Sequence, residues 1–375
     1  MTRAVVRFAA AAAALLLAAC SSSSGPKPAE LTDIPRAKPV RVLWSSDAGE
    51  GGSFTFFPAL AGEAVYVAAR DGTVRRLDAS DGRERWRADA ERQLSGGVGA
   101  DARTVAVATE EGEVIAMDAE NGKVRWRARA SSEVLTPPTV GNGLVLVRTI
   151  DARIFAFEAE DGKRRWVYQR APGSLILRVA TGVSMSADTA FGGFSGGKLV
   201  AIALSNGAQR WETTVAVPKG ANELERVTDV VGEPVLQGRE VCAATYQGRV
   251  ACFDADNGKQ IWARDISSVT GVSVDARYAF VSDERGSVNA FDRSSGASVW
   301  KQDKLAYREL SLPRPVGDVV AVGDLEGYVH FLDRETGAFV ARYKTDGSPV
   351  RAAPKLIPGG VLVETQGGAL YALSP

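Results

Sequence analysis

The chain has 375 residues, with Lys plus Arg and Asp plus Glu both at 45, so its formal net charge is zero. That balance excludes the basic field that a nucleic-acid-binding surface needs. The single histidine, His330, excludes a multi-histidine metal centre and leaves no choice of candidates for a Ser-His-Asp relay.

Arg3 and Arg7, followed by the apolar run from Ala9 to Ala19, read as a targeting segment too short to remain as a spanning helix. It ends Leu17-Ala18-Ala19-Cys20, and small residues ahead of a cysteine resemble the lipobox of bacterial lipoproteins. The expectation is a signal peptide over residues 1–19 and acylation of Cys20. Several acyl chains on one cysteine anchor firmly. Ser21, rather than Asp, after the cysteine resembles the pattern sorted to the outer membrane. Residues 20–37 are expected to be the acylated cysteine and a flexible tether, opening with Ser21-Ser22-Ser23-Ser24-Gly25-Pro26-Lys27-Pro28. Residues 38–375 are expected to form one folded body.

That body repeats a phrase: a small residue, Asp, a turn, Gly, three residues, Trp. It is clearest as Ala116-Met117-Asp118-Ala119-Glu120-Asn121-Gly122-Lys123-Val124-Arg125-Trp126, and it recurs ending at Trp86, Trp166, Trp211, Trp262 and Trp300. A seventh copy ends at Ala341 and gains Phe331 where other copies carry Ala116, Ala156, Ala201 or Ala290. Successive ends lie 40, 40, 45, 51, 38 and 41 residues apart, the period of four-stranded propeller blades. Asn, Asp or Ser before a Gly reverses two strands tightly. The alternation Val65-Tyr66-Val67-Ala68-Ala69 is strand periodicity. One Trp per blade predicts docking against the next blade rather than an aromatic ligand platform.

Trp44 has no Asp-turn-Gly before it, whereas residues 361–374 read as two strands of a blade lacking its last strand. Val40-Arg41-Val42-Leu43-Trp44 would supply that strand. The fold class predicted is therefore all-β: an eight-bladed propeller whose N-terminal strand completes the C-terminal blade and hides a sheet edge.

Cys242 and Cys252 flank the turn Tyr246-Gln247-Gly248-Arg249, so they lie on adjacent strands of one hairpin. An oxidising periplasm favours a disulfide; the small-residue slot held by Cys252 equally suits a buried thiol, and both readings stand. Asp254-Ala255-Asp256-Asn257-Gly258 lacks the Glu that a calcium loop needs, Arg264 taking its place. Gly192-Gly193-Phe194-Ser195-Gly196-Gly197 precedes a strand rather than a phosphate-holding helix. Both read as blade hairpins, and His330 as a structural strand histidine. No metal, cofactor or catalytic constellation is expected.

The two long periods are consecutive and place extra residues after Trp166 and after Trp211, in links that project from the same face. The first carries Ser174-Leu175-Ile176-Leu177-Arg178, which either presents an apolar anchor with an Arg to a protein partner or begins the inner strand of the fourth blade. The second carries Asn222-Glu223-Leu224-Glu225-Arg226-Val227-Thr228-Asp229.

With the lipobox and the eight tryptophan-type blades, these loops resemble the BamB family of lipoproteins of the bacterial outer-membrane β-barrel assembly machinery, over nearly all of residues 20–375. The resemblance also rests on Gly323-Asp324-Leu325-Glu326-Gly327-Tyr328-Val329 and Gly337-Ala338-Phe339-Val340-Ala341. It implies a non-enzymatic scaffold held at the outer membrane by its lipid and facing the periplasm. Its partners would be the POTRA region of BamA, other subunits of the machinery and unfolded β-barrel precursors. Leu175, Leu177 and Arg178 match the family's Leu-x-Leu-Arg partner segment, and Asp229 the first acid of an Asp-x-Asp. Asp229 would bind a partner cation or hold Arg178. Val231 stands at the second acid, and restoring Asp there is expected to leave binding equal or tighter. The rival is a periplasmic quinoprotein-like dehydrogenase or ligand-binding propeller.

Overall fold

The structure is a computed structural model that describes residues 26–171, 173 and 175–375; the expected signal segment and Cys20 lie outside these. Eight four-stranded antiparallel sheets follow one another around a ring. Blade 1 comprises Ala59–Ala61, Ala64–Ala68, Thr73–Asp78 and Glu84–Asp89, ordered from the inner strand outward. Blades 2 to 7 repeat it over residues 96–129, 139–169, 183–214, 230–265, 273–302 and 314–344.

Blade 8 is the split one. Lys355–Ile357, Gly360–Glu364 and Ala369–Ser374 are completed by Arg41–Asp47, which pairs antiparallel with Ala369–Ser374 from Arg41 opposite Ser374 to Asp47 opposite Ala369. The core lies between blades. One cluster joins Trp44, Leu362, Leu370 and Ala372 of blade 8 to Val65, Val67 and Leu77 of blade 1.

The repeated phrase is the joint between blades. In the turn Asp118–Gly122, the Asp118 carboxylate accepts the amides of Glu120 at 2.9 Å and Asn121 at 3.2 Å. The turn glycine of the next copy, Gly162, sits at φ +73°, and a Cβ on it would come within 2.6 Å of the Trp126 ring. Glycine therefore supplies both the left-handed backbone and the space for the indole. Each Trp Nε1 donates to the carbonyl just past the third strand of the following blade, from Trp44 to Ala79 through Trp300 to Arg334, at 2.5–3.1 Å. Ala341 breaks the series for a topological reason. In blade 8 the third and fourth strands come from opposite ends of the chain, so no turn glycine is there for a Trp to cover. Phe331, paired with Ala341 and fully buried, fills the space.

Cys242 and Cys252 pair directly across their two strands, with Cα atoms 4.0 Å apart, and form a disulfide. Asp254 closes its hairpin by accepting the amides of Asp256 and Asn257. The glycine-rich run joins strands Thr189–Phe194 and Lys198–Ala203. Both are hairpin turns, as their sequence suggested.

The expected tether to residue 37 needs correcting. The chain is docked on the propeller from Ala29, whose amide donates to the Ala306 carbonyl at 2.8 Å, to Lys38, whose amide reaches Val340 at 3.0 Å.

Candidate functional site: the loop face

Links between blades leave from the outer strand and re-enter on an inner strand. They therefore share a face with the hairpins between second and third strands, such as residues 69–72 in blade 1. Residues 170–182 and 215–229 are the two long links on this face, on either side of blade 4. The first is tied to the start of the inner strand of blade 5, into which the second runs: the amides of Gly182 and Gly232 donate to the carbonyls of Gly232 at 3.2 Å and Ala180 at 3.1 Å.

Leu175–Arg178 belong to no strand. The inner strand of blade 4 starts only at Val183, which removes the reading of this segment as its beginning. Leu175 and Ile176 are exposed, and Leu177 is half-buried. Asp229 is buried, and its Oδ2 accepts the Leu177 amide at 2.8 Å. It thus pins the segment's backbone rather than the Arg178 side chain, correcting the second role expected of it. Burial raises the Asp229 carboxyl above its ordinary range; the Leu177 and Gly196 amides and the nearby Arg148 charge oppose that shift. An anion bonded to an amide and facing a guanidinium remains a strong acceptor.

Arg178 instead forms a two-pronged pair with Glu133, from Nε to Oε2 at 3.3 Å and from a terminal nitrogen to Oε1. Planar forks suit this geometry. Glu133 is largely buried while the Arg178 side chain is 59% exposed, so the pair aims the guanidinium without hiding it. Its other neighbour is Phe54, whose ring centroid lies 5.7 Å from the guanidinium carbon, and on which Arg70 also stacks at 4.4 Å. Arg70 in turn pairs with Glu110. A line of charge and aromatic contacts thus runs from the link before blade 1 to the link before blade 4.

The second link closes on itself. The Glu225 amide donates to Asn222 Oδ1 at 2.9 Å, and the Glu225 carboxylate accepts the Ala221 amide at 2.7 Å. This reciprocal bonding is like a capping box shifted by one residue, closing a turn rather than opening a helix. Held so, the turn raises Leu224 to 71% exposure, with Val217 at 65%; these are the two most exposed large apolar side chains among the described residues. Sequence reasoning passed over Val217, Glu133 and Phe54. Val217 alone left a signal, an apolar residue in an overlong link. Val231 is only 1% exposed. An Asp there would be a buried carboxylate, costing several kcal/mol of stability unless paired, so the binding effect of Val231→Asp has to be read beside a thermal midpoint expected to fall.

The structural His reading holds at His330, which is buried and bonded to Asp324 Oδ2 at 2.9 Å. Among the described residues, no group of three or more His, Cys, Asp or Glu could hold a metal ion.

A family model described as outer membrane protein assembly factor BamB matches residues 36–91 and 70–302. The outer membrane protein assembly factor BamB of Bordetella pertussis is 46% identical over 345 residues, covering 92% of this chain and 89% of its own. The crystal structure of BamB from Moraxella catarrhalis superposes with a TM-score of 0.82 at 26% identity, covering 90% of this chain and 100% of that one. The quinohemoprotein alcohol dehydrogenase from Comamonas testosteroni superposes with a TM-score of 0.69 at 15% identity, over 89% of this chain and 76% of that one, a likeness of fold alone. This chain belongs to the outer membrane protein assembly factor BamB family.

Proposed function

We propose that this protein is a non-enzymatic scaffold, anchored to the outer membrane by acylated Cys20 with its propeller in the periplasm. It binds the POTRA region of BamA through the paired links on the loop face, and so helps the machinery receive β-barrel precursors. The observation that carries this reading is the pinned segment Leu175–Arg178. Its backbone is fixed by Asp229 and its guanidinium aimed by Glu133, yet two of its apolar side chains stay in solvent. Preorganised apolar anchors beside an Arg are what interface hot spots are made of.

The test is a binding titration of the purified propeller against the isolated POTRA region. The triple variant Leu175→Ala, Leu177→Ala, Arg178→Ala is expected to weaken binding by about 2 kcal/mol or more, roughly thirtyfold, while still unfolding cooperatively as a folded propeller. Asp229→Ala leaves the anchors but frees their backbone, and weakens binding less. A folded triple variant with wild-type affinity moves the interface elsewhere on the propeller.

A further inference from the structure

The segment that follows the expected anchor is held by a device of its own. Arg308 is the largest fully buried side chain among the described residues, 2% exposed. A buried guanidinium is costly unless all its donors are used. Arg308 Nε donates to Asp324 Oδ2 at 2.7 Å, one terminal nitrogen pairs with Glu326, and the other donates to the Ala29 carbonyl at 2.8 Å. Behind it, Asp324 Oδ2 also bonds His330 Nε2, and His330 Nδ1 accepts from Arg342 Nε at 3.1 Å. Arg342 then donates to the Thr32 carbonyl at 3.0 Å. Leu31 packs on the cluster that contains Leu305, Leu310 and Val320. The leader backbone is thus the acceptor that completes two arginines of the propeller, which a passively trailing linker has no reason to be.

The path is directional. Ala306 and Arg308 lie in the link between blades 6 and 7, on the loop face. Val340, which takes Lys38, lies at the other end of the outer strand Phe339–Lys344. The chain descends blade 7 and turns into Arg41–Asp47, so its free part leaves from the loop-face rim of blades 6 and 7. At that point Tyr307 is 43% exposed with φ +58°, an amphipathic ring of the kind found at lipid interfaces. The Tyr307 amide donates to the Arg285 carbonyl at 2.8 Å, and the short stretches Glu284-Arg285 and Asp303-Lys304 carry both signs of charge, so the dock rather than an electrostatic patch would set orientation.

We propose that this dock seats the propeller on the phospholipid surface of the membrane by the loop-face rim of blades 6 and 7. The proposal rests on the reading of Cys20 as the lipid anchor. From Cys20 to Ala29 an extended chain spans about 30 Å at most, against about 60 Å for a tether free to residue 37. A folded body of this length has a radius of gyration of about 20 Å, so it is on the order of 50 Å across. The short leash therefore keeps the rim near the lipid and the diametrically opposite blade 3 away from it. The loop face that carries Leu175–Arg178 then lies on the anchored side.

The experiment uses the full lipidated chain in phosphatidylethanolamine and phosphatidylglycerol vesicles bearing a headgroup acceptor dye. With Cys242 and Cys252 bonded and Cys20 acylated, a donor dye is placed on Arg285→Cys beside the rim, or on Glu160→Cys in a turn of blade 3 on the opposite face. Strong energy transfer is expected from position 285 and weak transfer from 160. Replacing residues 29–37 by a Gly-Ser repeat should remove that difference while the propeller stays folded by its thermal midpoint. Equal transfer from both sites in the unaltered chain overturns the proposal without a variant. So does a difference that survives the Gly-Ser replacement. Release of the protein from the vesicles by alkaline wash would instead sink the anchor reading, and the proposal with it.

Discussion

Trp44→Ala is expected to lower the unfolding free energy by about 3–5 kcal/mol, the usual cost of emptying a buried Trp site. The effect is large because this one side chain closes the ring twice. It sits on the strand that completes blade 8, and its indole reaches over Gly82 of blade 1 to donate to the Ala79 carbonyl at 2.9 Å. Truncation opens a cavity among Val65, Leu77 and Leu370 and leaves the Ala79 carbonyl without its donor. Chemical denaturation should show a lowered midpoint with an unchanged slope. A midpoint equal to wild type would mean that blade 8 is held without this joint.

Glu364→Gln is expected to stabilise the protein, increasingly so as pH rises. Glu364 is 5% exposed at the loop-face end of its strand; its Oε2 has no partner, and burial raises its pKa from 4.5 to about 8. Arg351, which lines the same small cavity, is engaged with Glu309 at 3.0 Å. The sign follows from proton counting. Between the two pKa values the folded state keeps a proton that the unfolded state has lost, so stability falls with pH. It is fully present below about pH 4.5 and lost as pH rises through about 8. At 1.36 kcal/mol per unit the whole interval is worth about 5 kcal/mol at most. Gln keeps the shape and cannot ionise. The stability difference between Glu364→Gln and wild type, followed from pH 4 to 8.5, should grow across that range; a flat difference would show that the carboxyl titrates normally.

Which parts of this were legible in the chain follows from where their causes lie. The propeller was readable because each blade solves the same local problem with the same residues, Asp for the turn amides, Gly for the backbone and Trp for the joint. Even the closure was readable, because Trp44 has an indole but no turn before it. The docked leader was not: Arg308 and Ala29 are 279 positions apart, and Ser-Gly-Pro composition at 21–28 says nothing about backbone carbonyls further on. Asp229 stood out in the chain as a candidate, but its acceptor role depends on an amide 52 positions away. The cysteine pair stayed open because a turn places two residues on neighbouring strands without saying whether they fall opposite one another. The burial of Val231 was not legible because a position matched by motif carries no information on burial.

The central claim, that the loop face meets BamA, is tested most directly by site-specific photo-crosslinking of the anchored protein in cells. A photoreactive residue at Leu175 or Leu224, both exposed on the loop face, is expected to cross-link BamA. The same residue at Asn121, in the turn between the third and fourth strands of blade 2 on the opposite face, is expected to give none. Cross-linking from Asn121 with Leu175 and Leu224 silent would contradict the account and place the partner on the other side of the ring.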